Sequence, residues 1–171
     1  GNFGHKHGLE TLVEAARLLQ NETNLLFLLC GEGAARPLIE QQAQGLSNLR
    51  IAGLQPAERL NELLNLADLH VLPQRTGTAD LVMPSKLGGM LASGKPVIAA
   101  AHPGSELASV VGPLGMVVPP EDPASLAEAV RSLSQQPQTR LVLGQCGRQF
   151  AQEHWDRQQV LGKFCQEIET P

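Results

Sequence analysis

Short runs of consecutive apolar residues alternate along this chain with stretches in which apolar residues recur every three or four positions. The short runs favour strands buried on both faces, and the periodic stretches favour amphipathic helices. The runs predict strands near residues 25–30, 49–52, 69–72, 97–101 and 115–118. Alternation of strands and helices gives parallel strands joined by right-handed crossovers. We therefore predict an α/β fold, a doubly wound and mostly parallel sheet with helices on both faces.

Apolar stripes with helical spacing lie between the predicted strands. They comprise Leu9, Leu12, Val13, Ala16 and Leu19; then Leu60, Leu63, Leu64 and Ala67; and then Leu126, Ala129, Val130 and Leu133. Asp122 followed by Pro123 predicts the start of the third helix, because aspartate caps a first turn and proline fits its first position. Near the end of the chain, one further helical face would carry Val160, Leu161, Phe164 and Ile168.

The segment before the fourth predicted strand is the most informative about function. It is typical of a loop, a short helix and a glycine stop, with Pro84 at the first helical position and Gly94 just after the last. The N–H groups of Met83, Ser85 and Lys86 then have no partner inside the helix. With the ammonium and hydroxyl groups of the same turn, they predict a site for an anion such as a nucleotide diphosphate.

Composition limits the class of protein. A length of 171 residues and a hydrophobic content of 42% suffice for one domain, residues 1–171, with a substantial core. The net charge of −4 argues against a nucleic-acid partner and against a membrane-surface module, since both need a basic face. No apolar stretch reaches transmembrane length, so we expect no membrane insertion of this domain. Three cysteines without paired spacing predict a reduced, cytoplasmic protein.

The beginning of the chain suggests a fragment. A glycine-rich stretch, residues 1–8, leads into the first helix, yet no strand precedes it as a βαβ unit requires. We therefore expect a domain cut at or just after its first strand.

Candidate functional residues converge at one edge of the predicted sheet. In a parallel sheet, the loops that follow the strands all lie at that edge, where ligands bind. The loops contain Gly31, Gly33, Arg75, Asp80 and Lys86, together with the histidines His5, His7 and His102. We call this edge the carboxyl-end rim.

Each candidate also has a plainer interpretation. Gly31 and Gly33 could simply form a turn. Arg75 could face solvent rather than phosphate, and Asp80 could cap a loop rather than contact a sugar. His5 and His7 suggest a metal site, but no third ligand has matching spacing, so a flexible loop is the better interpretation. Glu10 is interpreted as a surface charge on the first helix.

Several stretches together carry a resemblance to a known family. They are residues 1–4 and 7–12, 31–33, 46–50, 67–71, 84–87 and 92–98. They resemble the C-terminal, nucleotide-sugar-binding half of GT-B glycosyltransferases of the retaining family 4 type, whose halves are Rossmann-like. The pattern from Arg75 to Leu87 is similar to bacterial exopolysaccharide and O-antigen enzymes, among them fucosyl- and fucosaminyltransferases.

The resemblance implies the donor-binding half of a sugar transferase that uses a UDP- or GDP-linked sugar in surface polysaccharide assembly. It implies an N-terminal acceptor half of the same polypeptide, possible placement at the inner face of the membrane through that half, and an isolated domain without activity. It also implies metal-independent chemistry, so no metal or other cofactor is expected. The predicted nucleotide-sugar-binding residues are Asn2, Lys6, Gly31, Gly33, Arg75, Asp80, Met83, Pro84, Ser85 and Lys86. No catalytic residue is identified.

Some positions depart from the family pattern. The two glutamates that flank the phosphate helix in the family would fall near Leu81 and on Gly89, and neither residue is acidic. Asp80 is the nearest carboxylate that could replace the first. In the glycine-rich stretch of residues 1–8, which we call the opening loop, Asn2 and His7 stand where the family has an arginine and a lysine. Lys6 lies one position before the place of the family's lysine.

Two other functions remain open. A non-enzymatic nucleotide-binding or regulatory α/β module would need no second, similar domain across a cleft. A GT-B sugar epimerase would need catalytic carboxylates and histidines that have no obvious place in this sequence.

Overall fold

A computed structural model describes residues 1–4, 7–77, 83–156, 158 and 160–161. The helices are α1 (Leu9–Leu18), α2 (Arg36–Gln42), α3 (Leu60–Leu66), α4 (Lys86–Ala92), α5 (Glu106–Val111), α6 (Pro123–Ser134) and α7 (Pro137–Trp155). The strands are β1 (Phe27–Cys30), β2 (Leu49–Ala52), β3 (His70–Leu72), β4 (Val97–Ala100) and β5 (Gly115–Val118). A 3-10 turn, Ala57–Arg59, precedes α3.

The strands occur where the apolar runs predict them, and every pairing between them is parallel. The predicted single sheet is, however, divided into two. β1 pairs with β2, and separately β3, β4 and β5 pair in that order. The strand β1 therefore has a second edge that faces β3 without a ladder of hydrogen bonds between the two.

Strand β4 separates two hydrophobic cores, because successive side chains of a strand point to opposite faces. Ile98 and Ala100 belong to the core that contains α1 and α6. Val97 and Ala99 belong to the core that contains α4 and α5. This arrangement confirms helices on both faces of a parallel sheet.

The apolar stripes predicted for residues 9–19 and 126–133 are confirmed as the buried faces of α1 and α6. Leu12, Val13 and Ala16 are buried in α1, and α6 begins at Pro123 as predicted. The Asp122 carboxylate accepts a hydrogen bond from the Ser125 backbone N–H at 2.9 Å, which is the predicted N-terminal cap.

The predicted second stripe forms the helix α3, but its apolar face is only partly buried. Leu63, Leu64 and Ala67 are partly buried, and Leu60 is 52% exposed. The physical reason is that α3 lies over the space between β1 and β3 rather than over a continuous sheet, since Leu63, Leu64 and Leu66 line a cavity with residues of both strands.

The sequence reasoning missed α7, which packs against α4. The buried residues of α7 are small, Gly144, Gly147 and Ala151, and Phe150 and Trp155 pack beside them on the core that contains α4. A Cβ added at Gly144 would lie 2.1 Å from the Gly94 carbonyl oxygen, so the two backbones are in direct contact.

After α7, Val160 and Leu161 are helical and about half exposed, whereas Phe164 and Ile168 lie outside the described residues. Among the described helices, none combines the length and the apolar character needed to span a bilayer.

Candidate functional site

The opening loop of the chain packs against the end of β1 at the carboxyl-end rim. The Phe3 N–H donates to the Glu32 carbonyl at 2.7 Å, and the Glu32 N–H donates to the Gly1 carbonyl at 3.1 Å. The pattern is a parallel bridge between Asn2 and Glu32. The Ala35 N–H also donates to the Phe3 carbonyl at 2.9 Å, which fixes the loop to the start of α2.

Gly31 and Gly33 are required by this close packing. A Cβ at Gly31 would lie 2.1 Å from the Gly1 carbonyl oxygen, and one at Gly33 would lie 2.7 Å from the Asn2 side-chain oxygen. Gly33 also has a φ of 150°, which L side chains rarely adopt. The two glycines therefore let the opening loop approach β1, and they bring Asn2 directly over Gly33.

Helix α4 begins later than predicted. Its first residue is Lys86, and Ser85 is the N-cap, so Pro84 lies before the helix rather than at its first position. The Leu87 N–H donates to the Pro84 carbonyl at 2.9 Å, which forms a turn ahead of the helix and shifts its start by two residues. At seven residues the helix has a small dipole, so side-chain charge matters more at this site than the dipole does.

The Lys86 side chain extends over the opening loop. A Cβ at Gly1 would lie 3.0 Å from Lys86 Cε and 4.0 Å from Lys86 Nζ. Lys86 and Ser85 are exposed, while Met83 is partly buried and packs on the core beside α4. The ammonium group is therefore available to a ligand at the rim, on a helix held in place by its buried residues.

The other end of α4 is fixed by two features. Gly94 has a φ of 74° and ends the helix, as predicted. The His70 ring Nε2 lies 3.0 Å from the Ser93 hydroxyl oxygen, and that hydroxyl donates to the Met90 carbonyl at 2.6 Å. The start of β3 is thereby joined to the last turn of α4.

Arg75 occupies a second part of the rim, and its charge is already paired. Its guanidinium group donates to the Glu10 carboxylate at 2.7 Å, so the charge that Glu10 carries on the first helix is paired with Arg75. Helix α1 begins beside this loop, since a Cβ at Gly8 would lie 3.2 Å from the Gln74 backbone. The contact of Arg75 with phosphate stays a prediction.

A carboxylate that the sequence reasoning missed also faces this loop. The Thr76 N–H donates to the Glu121 carboxylate at 3.1 Å. Hydrogen bonds from Thr76, with the positive charge of Arg75, lower the pKa of Glu121 below its usual range. Glu121 has a φ of 56°, unusual for a residue other than glycine. The available signal was topological, because the loop after β5 ends at the same rim as the loop after β3.

The structure therefore brings together four of the predicted binding residues, Asn2, Gly31, Gly33 and Lys86, around the opening loop. Arg75 lies in the neighbouring loop with Thr76 and Glu121. Lys6, Asp80, His5 and Leu81 lie outside the described residues. Gly89, where the family pattern would have an acidic residue, is exposed on α4, and a Cβ there would lie 3.3 Å from the Leu64 side chain. Within the described ranges, no group of three or more histidine, cysteine, aspartate or glutamate side chains could hold a metal ion.

Comparison with known proteins assigns the chain to a family. The family described as "Glycosyl transferases group 1" matches residues 1–136. This chain belongs to that family. Its fold is the Rossmann-like half of a GT-B glycosyltransferase, which confirms the resemblance inferred from the sequence.

Relatives and solved structures agree with this assignment. The chain is 34% identical to the "Putative colanic acid biosynthesis glycosyl transferase WcaI" of Escherichia coli K12, over 98% of this chain and 41% of the relative. It is 27% identical to the "Probable glycosyltransferase WbjE" of Pseudomonas aeruginosa, over 96% of this chain and 41% of the relative. The structure of Anabaena Alr3699/HepE in complex with UDP matches with a TM-score of 0.84 and 17% identity, over 100% of this chain and 47% of that one. The chain thus spans well under half the length of these curated relatives.

Proposed function

We propose that this chain is the nucleotide-sugar-binding domain of a retaining glycosyltransferase that acts in surface polysaccharide assembly, with the acceptor site in another half of a longer polypeptide. Membership of the glycosyl transferases group 1 family carries the proposal. The names of the relatives support the polysaccharide context, and the UDP bound to HepE supports a nucleoside diphosphate as the ligand.

The proposed diphosphate site lies between Lys86 and the opening loop. The Lys86 ammonium group is exposed beside Gly1, and Gly31 and Gly33 let the opening loop, with Gly1 and Asn2, lie directly over the end of β1. Asn2 supplies an amide at the same place. In sugar transfer, negative charge develops on the departing nucleoside diphosphate, and a preorganised ammonium group stabilises that charge.

Arg75 would be a second cation, of lesser effect. Its pairing with Glu10 means that a diphosphate has to compete with a carboxylate that is already 2.7 Å away. Lys86 has no such carboxylate partner among the described ion pairs. We therefore assign the main phosphate contact to Lys86, with Arg75 holding the loop after β3 against α1.

Calorimetry with UDP, GDP and the corresponding uncharged nucleosides tests the proposal. A charged hydrogen bond contributes roughly 1.5–3 kcal/mol, so Lys86→Ala should weaken diphosphate binding by about ten- to a hundredfold. The uncharged nucleoside should lose much less, because the removed contact is with phosphate. Lys95→Ala is the matched control, since it removes the same charge beyond the opposite end of α4 and should leave binding unchanged.

Equal losses for the nucleoside and the diphosphate would mean that Lys86 supports the fold or a base pocket, and would contradict the assigned contact. Binding by a parent polypeptide that has no second domain would favour the regulatory module instead. Interconversion of a free UDP-sugar without transfer to an acceptor would favour the epimerase.

A further inference from the structure

Three loops meet at one part of the carboxyl-end rim. The loop after β3 lies against the start of α1, since a Cβ at Gly8 would lie 3.2 Å from the backbone of that loop. From the same loop, Arg75 donates to the Glu10 carboxylate at 2.7 Å, and the Thr76 N–H donates to the Glu121 carboxylate at 3.1 Å. The loop after β3 is therefore held from two sides. The name loop junction is used below for Gly8, Glu10, Arg75, Thr76 and Glu121.

The loop junction supports one end of the opening loop. The first residue of the opening loop, Gly1, lies beside Lys86, and its last residue, Gly8, belongs to the junction. Gly8 is buried and has a φ of 62°, so its position depends on the loop after β3 against which its backbone packs. A shift of the loop after β3 would therefore release the end of the opening loop that lies away from Lys86.

Glu121 is an unfavourable residue for the backbone conformation at its position. Its φ of 56° makes it the one residue other than glycine with a positive φ in the part of the chain that the structure describes. An L residue in this conformation brings its Cβ close to the following carbonyl oxygen, whereas glycine avoids that contact. The Glu121 side chain is exposed, so apolar packing does not offset the cost.

The charge of Glu121 is also unfavourable beside an anion site. Hydrogen bonds from Thr76 lower the pKa of Glu121, so the carboxyl group is ionised at neutral pH. Its negative charge lies at the rim where the diphosphate is proposed to bind, and Coulomb repulsion opposes that binding. Strained residues persist at sites where a function offsets the cost. The Glu121 carboxylate contacts Thr76 and lies near the charge of Arg75, so the loop after β3 is where that function is to be sought.

We propose that Glu121 is a positioning residue for the diphosphate site. Its carboxylate holds Thr76, and with it the loop after β3, in the conformation that supports the end of the opening loop. The apparent affinity of a ligand falls with the fraction of molecules that have the binding conformation, so this support strengthens binding without any contact between Glu121 and the ligand. The inference rests on the proposed function in one respect, that the ligand is a nucleoside diphosphate.

Glu121→Gly separates the support of the loop from the stability of the fold. It removes the hydrogen bonds to Thr76 but introduces the residue that the backbone conformation favours, so the melting temperature should change little. Loss of a hydrogen bond that holds the loop should weaken the binding of UDP and GDP by about three- to tenfold. Surface plasmon resonance on the immobilised protein should show an association rate lowered by that factor and an unchanged dissociation rate. The reason is that fewer molecules are competent to bind, while the contacts in the bound state are intact.

Two further variants serve as controls. Glu121→Gln removes the charge but keeps a side-chain oxygen that can accept from the Thr76 N–H, so it should retain most of the association rate. Asp122→Asn removes the charge of the next residue and keeps the cap of α6, so it should leave both rates unchanged.

Slow association in Glu121→Gly, with most of the rate retained in Glu121→Gln, supports the inference. Tighter binding by Glu121→Gly overturns it, because the charge of Glu121 then matters more than its hold on the loop. Unchanged rates in Glu121→Gly, or faster dissociation with unchanged association, also overturn it, since the residue then has a purely structural role or contacts the ligand itself. Association as slow in Glu121→Gln as in Glu121→Gly overturns it too, because the oxygen that accepts from Thr76 is then not what matters. Absence of UDP and GDP binding by the unaltered protein overturns the proposed function and this inference together, whereas the other contrary results overturn the inference alone.

Discussion

Acidification should destabilise this protein through the buried histidine His70. Burial lowers the pKa of the His70 imidazole from the ordinary 6.5 to about 4, and the positive charge of Lys95 acts in the same direction. The ring is therefore neutral in the folded protein between these two pH values, while the unfolded chain binds a proton. Because the unfolded state binds more protons, the free energy of unfolding falls as the pH drops from 6.5 to 4.

The hydrogen bonding around His70 agrees with a neutral ring. The single hydroxyl proton of Ser93 is donated to the Met90 carbonyl, so His70 Nε2 must donate to the Ser93 oxygen. The neutral ring satisfies that contact with its one N–H. A second proton would place a charge in a buried position near Lys95, and in the described structure no carboxylate is paired with His70.

The size of the effect follows from the two pKa values. The full shift corresponds to about 3 kcal/mol, of which about 2 kcal/mol should be lost between pH 7.5 and pH 5. For a domain of this size, that loss should lower the melting temperature by roughly 4–8 °C. The carboxyl pKa values of Glu121 and Asp122 are themselves lowered, so their stabilising contributions are lost below their ordinary values of 4.5 and 3.8.

Thermal unfolding followed by the fluorescence of Trp155, the sole tryptophan, measures the effect at pH 7.5, 6.5, 5.5 and 5. His70→Gln is the informative variant, because its amide N–H can still donate to Ser93 but does not titrate. The pH dependence over this range should disappear in that variant. His102→Gln, after β4 at the opposite end of the sheet, is the control and should retain it. The same slope in His70→Gln and in the unaltered protein would refute the reasoning.

Two further predictions concern stability. Gly144→Ala should lower the free energy of unfolding by about 2 kcal/mol or more, because the new Cβ would lie 2.1 Å from a backbone oxygen of Gly94. Urea denaturation measures the loss. Gly147→Ala should change the free energy of unfolding by less than about 1 kcal/mol, because the nearest atom to its new Cβ, at 3.0 Å, is the Cδ2 end of the Leu91 side chain. Equal effects at the two glycines would contradict the backbone contact. Asp122→Ala should cost about 1 kcal/mol in the same assay by removing the cap of α6, whereas Asp122→Asn should cost little, since asparagine also caps. A loss with Asn as large as that with Ala would show that charge matters more than capping.

The strands of this protein could be predicted from the sequence because both of their faces are buried. A run such as Val97–Ala100 has to be apolar at every position, since alternate side chains enter different cores. The glycine after α4 and the aspartate before α6 are equally local, because backbone geometry and a nearby N–H determine them. The family resemblance was likewise carried by short stretches whose spacing is visible without a structure.

The packing of the helices could not be predicted in the same way. The buried residues of α7 are Gly144, Gly147 and Ala151, which have too little apolar surface to produce a hydrophobic stripe, while Phe150 and Trp155 pack on the core beside α4. The stripe on α3 was visible in the sequence, but Leu60 is exposed and Leu63 and Leu64 are only partly buried, because α3 lies over the space between β1 and β3, where the described residues form no strand. In both helices, the burial of the side chains depends on the shape and composition of the surface that packs against the helix.

Part of the candidate site could likewise be predicted from the sequence, and part depends on the packed structure. Topology alone placed its loops at one rim, because parallel strands all end on the same side of a sheet. The pairing of Arg75 with Glu10, the contact of Glu121 with Thr76 and the approach of Lys86 to Gly1 join residues from loops far apart in the chain. Such pairings depend on distances of a few ångströms between separate elements. Sequence spacing determines which elements form and at which edge their loops lie, but only the packed structure determines which charged groups meet there.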